Sequence, residues 1–185
     1  MMGTEPVFLD RDGVINMNRA DYVRSLKEWI PIPGAIEALA KLSNAGHPVI
    51  VLTNQSAIAR KYCTVSDVEE IHRHLLNLVS SAGGMISGIY YCPHHPDDEC
   101  ECRKPRTGMI ESAIKELNLA AGGYIVGDAD SDMEMGRRAG LKTVLVLTGR
   151  GADQFEKINS EGCIRPWKVT ENISSAVDII FADTT

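Results

Sequence analysis

The sequence predicts an α/β fold, a doubly wound parallel sheet with helices on both faces. Three observations lead there. Short apolar runs alternate along the chain with amphipathic segments at helical spacing. One run, Val49-Ile50-Val51-Leu52, is continuously apolar, as a strand buried on both faces must be. The length of 185 residues suits one domain, since a domain takes about 150 residues, and no internal repeat or linker divides the chain.

The elements follow in order. Val7-Phe8-Leu9 is an apolar run that stops at Asp10. Ile36, Leu39 and Ala40 share one helical face, and Gly46 with Pro48 ends that helix. The strand Val49 to Leu52 comes next. Ser66 and Glu69 have capping-box spacing before Val68, Ile71, Leu75 and Leu78. Ile86 to Tyr91 reads as a third strand, and Ile110, Ala113, Ile114 and Leu117 as the stripe of another helix. Tyr124-Ile125-Val126 is a fourth strand, followed by a short helix up to Gly140 and a fifth strand from Thr143 to Leu147. Ile173, Ala176, Val177 and Ile180 form a closing helix. Five strands are therefore expected.

Composition narrows the function classes. Hydrophobic residues make up 44% and charged residues 24%, which excludes a disordered or fibrous chain. No apolar run approaches the roughly 18 residues that span a membrane. Met1 to Pro6 lacks a basic region followed by an apolar one, so no signal peptide and a cytoplasmic location are expected. A net charge of -6 speaks against nucleic acid or an anionic membrane as partner, but leaves room for a small anion held by a few clustered cations. No obligate protein partner is inferred. Five cysteines, an odd number, suit a reduced protein. Cys63 and Cys163 are isolated and read as packing or surface thiols.

In a doubly wound sheet, ligands sit beyond the carboxyl ends of the strands, so the residues just after each strand carry the functional reading. After the first strand, Asp10-Arg11-Asp12-Gly13 sets two carboxylates two residues apart. They can hold a hard cation, attack phosphorus and shuttle a proton; the plain alternative is a solvated acidic turn. Thr53-Asn54-Gln55-Ser56 supplies neutral donors for phosphate oxygens, or simply a helix cap. Cys92, His94, Cys100 and Cys102 have the donor types and spacing of a closed structural zinc site, in a loop spanning 92–102. His95 is read as a non-ligand. Arg103 and Lys104 follow the last thiol and can grip a phosphoryl group. Gly127-Asp128-Ala129-Asp130-Ser131-Asp132 places a second acidic cluster at a strand end, where Asp128 can join Asp10 on one metal.

That order of strand-end motifs, Asp10-x-Asp12-Gly13, Thr53, Lys104 and Gly127-Asp128-x-x-x-Asp132, resembles the haloacid dehalogenase superfamily of phosphohydrolases. The strings Phe8 to Asn16, Thr53 to Ser56, Ile89 to Pro96 and Cys102 to Pro105 are most similar to its zinc-containing branch, which acts on histidinol phosphate and heptose bisphosphate. The resemblance implies a Rossmann-like three-layer sandwich over residues 1–185 with no large cap domain and a zinc-stabilised loop. It implies Asp10 as nucleophile through an aspartyl phosphate, Asp12 as general acid then base, and Mg²⁺ on Asp10, the Asp12 carbonyl and Asp128. Thr53, Asn54, Arg103 and Lys104 would hold the phosphoryl group, and Asp132 would orient the site rather than bind metal.

The strings Phe8 to Asn16, Ser56 to Arg60 and Arg103 to Met109 most resemble the heptose-bisphosphate members, a resemblance that implies removal of the 7-phosphate of heptose 1,7-bisphosphate on a route to surface polysaccharide such as lipopolysaccharide. Histidinol phosphate or another small phosphomonoester is the alternative, and a non-catalytic phosphoacceptor or binding module the alternative of another class. Ala57 stands where the branch usually has Gly, and Ala129 where the heptose enzymes often have Lys or Ser. Position alone adds Arg60 and the Asn18-Arg19-Ala20-Asp21 segment as contacts to the sugar or its distal phosphate, and Arg11, Gln55 and Ser56 complete the expected substrate contacts.

Overall fold

A computed structural model describes residues 4–161 and 165–184 of the chain. Cys163 lies outside the described residues. Six parallel strands form one sheet: β1 (Val7–Leu9), β2 (Val49–Asn54), β3 (Gly88–Cys92), β4 (Tyr124–Gly127), β5 (Lys142–Val146) and β6 (Lys168–Thr170), in the order β3-β2-β1-β4-β5-β6. The helices are α1 (Ala35–Asn44), α2 (Val65–Ser81), α3 (Gly108–Leu117), α4 (Asp130–Arg138), α5 (Gly151–Glu161) and α6 (Ile173–Asp183).

Side-chain alternation along the strands builds two cores. Val7, Leu9, Val49, Val51, Tyr124 and Val126 point to one face, against Leu39 and Leu42 of α1, Ile71 and Leu75 of α2, and Val177 and Ile180 of α6. Phe8, Ile50, Leu52 and Ile125 point to the other, against Met109, Ile110 and Ala113 of α3 and Met135 of α4. Leu145 of β5 meets Met133 of α4 and Ile158 of α5 on that second face. The product is the three-layer sandwich expected. Each fully buried Leu, Ile or Val contributes roughly 1.5–3 kcal/mol relative to exposure, which is why the apolar periodicity governs the layers.

The local signals differ from expectation at three places. β6 and α5 were not expected. β6 is a three-residue edge strand with a mixed burial pattern, too short to show a period. In α5, Gly151 opens the helix, and Ile158 is the large apolar side chain fully packed among its described residues. The capping box of α2 is not Ser66 with Glu69. Thr64 is the cap: its hydroxyl accepts from the Asp67 amide at 3.2 Å, and the Asp67 carboxylate accepts from the Thr64 amide at 2.8 Å. Ser66 already lies inside the first turn, where its hydroxyl cannot serve the orphaned amides.

β1 is central. β2 pairs on one side and β4 on the other, with Leu9 opposite both Val51 and Val126. The chain reverses its direction of growth at β1, so a crevice opens beyond the carboxyl end of Leu9. The insert from Asp10 to Gly34 contains only a 3-10 turn (Leu26–Glu28) and isolated bridges at Asp12–Asn16 and Asn16–Pro31. Among the described residues no helix is long and apolar enough to cross a membrane.

Candidate active site

A cleft of about 390 Å³ opens beyond β1, β2 and β4, lined among others by Asp10, Asp12, Thr53, Asn54, Gln55, Ser56, Arg103, Lys104 and Asp132. Asp10 leaves the sheet as its amide bonds the Val126 carbonyl at 2.9 Å. Lys104 Nζ is buried and donates to Asp10 Oδ1 and Asp132 Oδ1, both at 2.7 Å, and to the Leu52 carbonyl at 2.9 Å. Its backbone is held in turn by Asn54, whose Oδ1 accepts from the Lys104 amide at 3.2 Å. Burial opposes a charge on Lys104, but the two carboxylates outweigh it and raise its pKa.

Asp10, Asp128 and Asp132 are buried, and each offers an oxygen to a common point, within 4.8 Å of the others. Asp128 is packed between two glycines. A Cβ on Gly13 (φ +92°) would lie 2.1 Å from Asp128 Oδ2, and one on Gly149 (φ +61°) 2.2 Å from it. Only glycine allows that approach. Asp128 Oδ2 accepts from the Arg150 amide at 2.8 Å, and Arg150 Nη2 stands 3.4 Å from Oδ1. Burial pushes Asp10 up to about 6; the neighbouring Asp132 and Asp12 add to the shift, and Lys104 opposes it. Burial, then Asp10, pushes Asp128 to about 6 against the pull of Arg150. Three crowded carboxylates of oxygen donors, at elevated pKa, fit a hard divalent cation.

Asp12 lives in a different environment. Burial works to raise its pKa, but Arg11 and the hydrogen bonds from Asn16 and Gln55 hold it below the usual carboxylate range. Asn16 Nδ2 donates to Oδ1 at 2.9 Å and Gln55 Nε2 to Oδ2 at 2.8 Å. Gln55 also donates to Thr53 Oγ1 at 2.8 Å, which leaves the threonine proton free to donate into the cleft. The two carboxylates of this crevice have opposite shifts, Asp10 raised by burial and Asp12 lowered against burial by Arg11, Asn16 and Gln55.

The zinc-type cluster is assembled beside the cleft. His94 Nδ1 lies 3.2 Å from Cys102 Sγ and 3.6 Å from Cys92 Sγ, while Cys100 Sγ is 3.5 Å from Cys92 Sγ and 3.6 Å from Cys102 Sγ. A tetrahedral site with Zn–S near 2.3 Å has S–S edges of about 3.8 Å, so the four donors fit one zinc ion. Burial raises Cys92, and burial with the neighbouring thiols raises Cys102 to about 12. Burial also works to raise Cys100, but sulfur contacts and the Arg103 amide bring it to about 7. Three thiols this close cannot all ionise without a cation between them. His95 is outside the cluster and pairs with Asp97.

Other expected contacts are redistributed. Asn18, Ser56 and Arg60 line the cleft. Asp21 does not: its carboxylate pairs with Arg19 and Arg24, at 3.0 and 3.1 Å, on the exposed side of the insert. Arg11 is corrected as well. Its side chain is wholly buried behind Asp12, because a guanidinium can be sheathed only where carboxylate and ring acceptors surround it, and it is not in the lining. Ala57 and Ala129 are buried and also miss the lining. Arg19 and Ala20 of the expected segment line the cleft, whereas sequence reading missed Ser131 and Arg150 as lining residues. Arg150 follows β5, so the strand-end rule would have reached it had it been applied beyond Leu147. Among the described residues, Arg60 Nε and Arg103 Nη1 are buried polar atoms without a hydrogen-bond partner, and both residues line the cleft.

Comparison with known proteins agrees with this geometry. A family model described as haloacid dehalogenase-like hydrolase matches residues 7–82, and one described as HAD-hydrolase-like matches 101–176. The chain is 49% identical over 146 residues to the D-glycero-β-D-manno-heptose-1,7-bisphosphate 7-phosphatase of Neisseria meningitidis serogroup A, covering 78% of each chain. It is 45% identical over 164 residues to the enzyme of that name from Pseudomonas aeruginosa, covering 88% of this chain and 92% of that one. The crystal structure of D,D-heptose 1,7-bisphosphate phosphatase from B. bronchiseptica, complexed with magnesium and phosphate, superposes with a TM-score of 0.90 at 32% identity, over 97% of this chain and 99% of that one.

Proposed function

This chain belongs to the haloacid dehalogenase-like hydrolases, and from that premise we propose that it removes the 7-phosphate of D-glycero-β-D-manno-heptose 1,7-bisphosphate. One observation carries the reading. The cleft has a carboxylate cluster at its base and the guanidinium groups of Arg60 and Arg103 in its lining, with no carboxylate partner for either among the described residues. A phosphorylated sugar supplies the missing anions.

Asp10 attacks phosphorus and forms the Asp10–O–P bond while the bond to the sugar oxygen breaks. The anionic phosphate of the substrate raises the proton affinity of Asp12 against the pull of Arg11, and Asp12 gives its proton to that leaving oxygen. Asp12 then takes a proton from water, whose oxygen attacks the phosphoryl group and releases Asp10 and inorganic phosphate. Lys104 pins one oxygen of Asp10 and so fixes the direction of the other. Thr53 and Arg103 hold the equatorial oxygens, because phosphoryl transfer is mostly positioning and charge stabilisation. Asp10, Asp128 and the Asp12 carbonyl would hold Mg²⁺, which supplies charge neutralisation of the transferring group and keeps both carboxylates ionised. Asn18 and Arg60 are placed for the sugar and its distal phosphate, with Asn54, Gln55 and Ser56 closing the near wall.

We infer further that residues 1–185 act as one phosphatase domain, that loop 92–102 holds one structural zinc, and that the protein works in the cytoplasm without an obligate protein partner. Metal analysis of the purified protein should find about one zinc per chain; none, with the four donors' thiols freely reactive, would remove the zinc reading.

The decisive experiment is phosphate release with Mg²⁺ from both anomers of heptose 1,7-bisphosphate, fructose 1,6-bisphosphate and histidinol phosphate. We expect the β-heptose anomer to lead by about 100-fold in kcat/KM, equal to about 2.7 kcal/mol of transition-state discrimination. A lead for histidinol phosphate would move the chain to amino-acid synthesis with the same catalytic groups.

A further inference from the structure

We propose that Arg11 and His72 form a buried pair whose task is to hold the Asp12 carboxylate in the orientation that transfers protons. The proposal rests on the phosphatase reading, in which Asp12 is the proton shuttle. Arg11 Nη2 stands 3.0 Å from both Oδ1 and Oδ2 of Asp12, and Nε is 3.3 Å from Oδ1. Its remaining terminal nitrogen, Nη1, contacts His72 Nε2 at 3.2 Å. The Arg11 carbonyl is fixed as well, accepting from the amides of Ile15 at 2.8 Å and Asn16 at 3.1 Å.

His72 is out of keeping with its surroundings. It sits on the buried face of α2, next to Ile71 and one turn before Leu75, with 7% exposure. The ring meets Tyr91 of β3 edge-on at 5.4 Å. For Nε2 to accept from Arg11, the ring must be neutral with its proton on Nδ1. Burial, and then the adjacent guanidinium, lowers its pKa to about 3, so it remains an acceptor across the working range. A guanidinium is always charged and is costly to bury unless its donors are met. His72 meets the donor that Asp12 cannot reach, and the fork stays aligned with the carboxylate. A misplacement of about 1 Å in a catalytic group can cost 100-fold in rate, so an element outside the cleft can control the chemistry inside it.

The test separates positioning from folding. His72→Leu removes the acceptor; His72→Gln offers an amide oxygen in its place. The probes are phenyl phosphate, whose leaving group needs a proton, and 2,4-dinitrophenyl phosphate, whose leaving group does not. Single-turnover release of the phenol reads the first step alone. His72→Leu should slow phenyl phosphate by about 10- to 100-fold with KM little changed, slow the dinitrophenyl ester by less than about 3-fold, and regain most of the loss as His72→Gln. Equal losses on both esters, no loss on either, or no rescue by glutamine would overturn the proposal. A wild-type protein that cleaves neither ester would instead refute the phosphatase reading. A crystal structure of His72→Leu then decides the positioning claim without activity: Arg11 and Asp12 should shift, and unmoved side chains refute it.

Discussion

Replacing Asp12 by Asn separates the chemistry of this residue from its structural task. The chemical loss follows from its role as proton donor and acceptor, and such groups contribute about 100- to 10,000-fold in rate. With an activated aryl phosphate the first step needs no proton, while the water step still needs a base. Phosphate should therefore remain on Asp10, visible as one phosphoryl group per chain by intact mass after acid quench. The structural loss follows from Arg11, which is wholly buried and loses its counter-ion. Removing one partner of a buried ion pair costs about 3–5 kcal/mol. The Asp12 side chain keeps 23% exposure toward the cleft, and solvent screening places the cost at the low end. An amide also presents an NH₂ group to one of two carboxylate positions that both face donors, Asn16 on one side and Gln55 on the other. A loss of about 3 kcal/mol in a chain of this size lowers Tm by about 6–12 °C. Removing the cation as well, in Arg11→Met/Asp12→Asn, should raise Tm above that of the single variant, because replacing both partners of a buried pair is often neutral. Thermal scans with EDTA and the trapped phosphoenzyme are the readouts. A single variant that melts with the wild type, or that turns over within about 10-fold of it without trapped phosphate, refutes the reasoning.

Metal and pH should be linked. In the metal-free protein Asp10 and Asp128 are raised to about 6, so the folded state binds more protons than the unfolded state between about pH 4 and 6. Stability without Mg²⁺ should fall as pH rises through that window and then level, and the stabilisation by added Mg²⁺ should grow over the same range; a Tm indifferent to Mg²⁺ at pH 8 would contradict this. Gly13→Ala should abolish Mg²⁺ binding and reduce kcat/KM by at least about 100-fold, since its Cβ would collide with Asp128 Oδ2; zinc content should not change, which metal analysis checks. Arg60→Ala should raise KM for a sugar bisphosphate by about 10-fold while leaving an aryl monophosphate nearly untouched, and equal effects on both would move Arg60 out of the distal-phosphate role.

Much of the site was legible because its signals are local. An apolar run that stops at a carboxylate, as at Leu9-Asp10 and Gly127-Asp128, identifies a strand end without knowledge of its neighbours. The thiol and imidazole spacing of Cys92, His94, Cys100 and Cys102 is likewise a property of one short segment, and the four donors do converge. β6 and α5 escaped because a three-residue edge strand and a helix with one large buried apolar side chain carry too little periodicity.

What the residue order alone determined was the layered α/β frame and which chemical groups stand at its strand ends, since both follow from patterns a few residues long. Which way those groups point was decided by tertiary structure. Arg11 sits beside two carboxylates in sequence, yet turns away from the cleft because His72, 61 residues on, offers the acceptor that lets its charge be buried. Asp21 turns outward to its chain neighbours Arg19 and Arg24, a local pairing, whereas Arg150 reaches Asp128 across 22 residues, a partner that only the fold brings near.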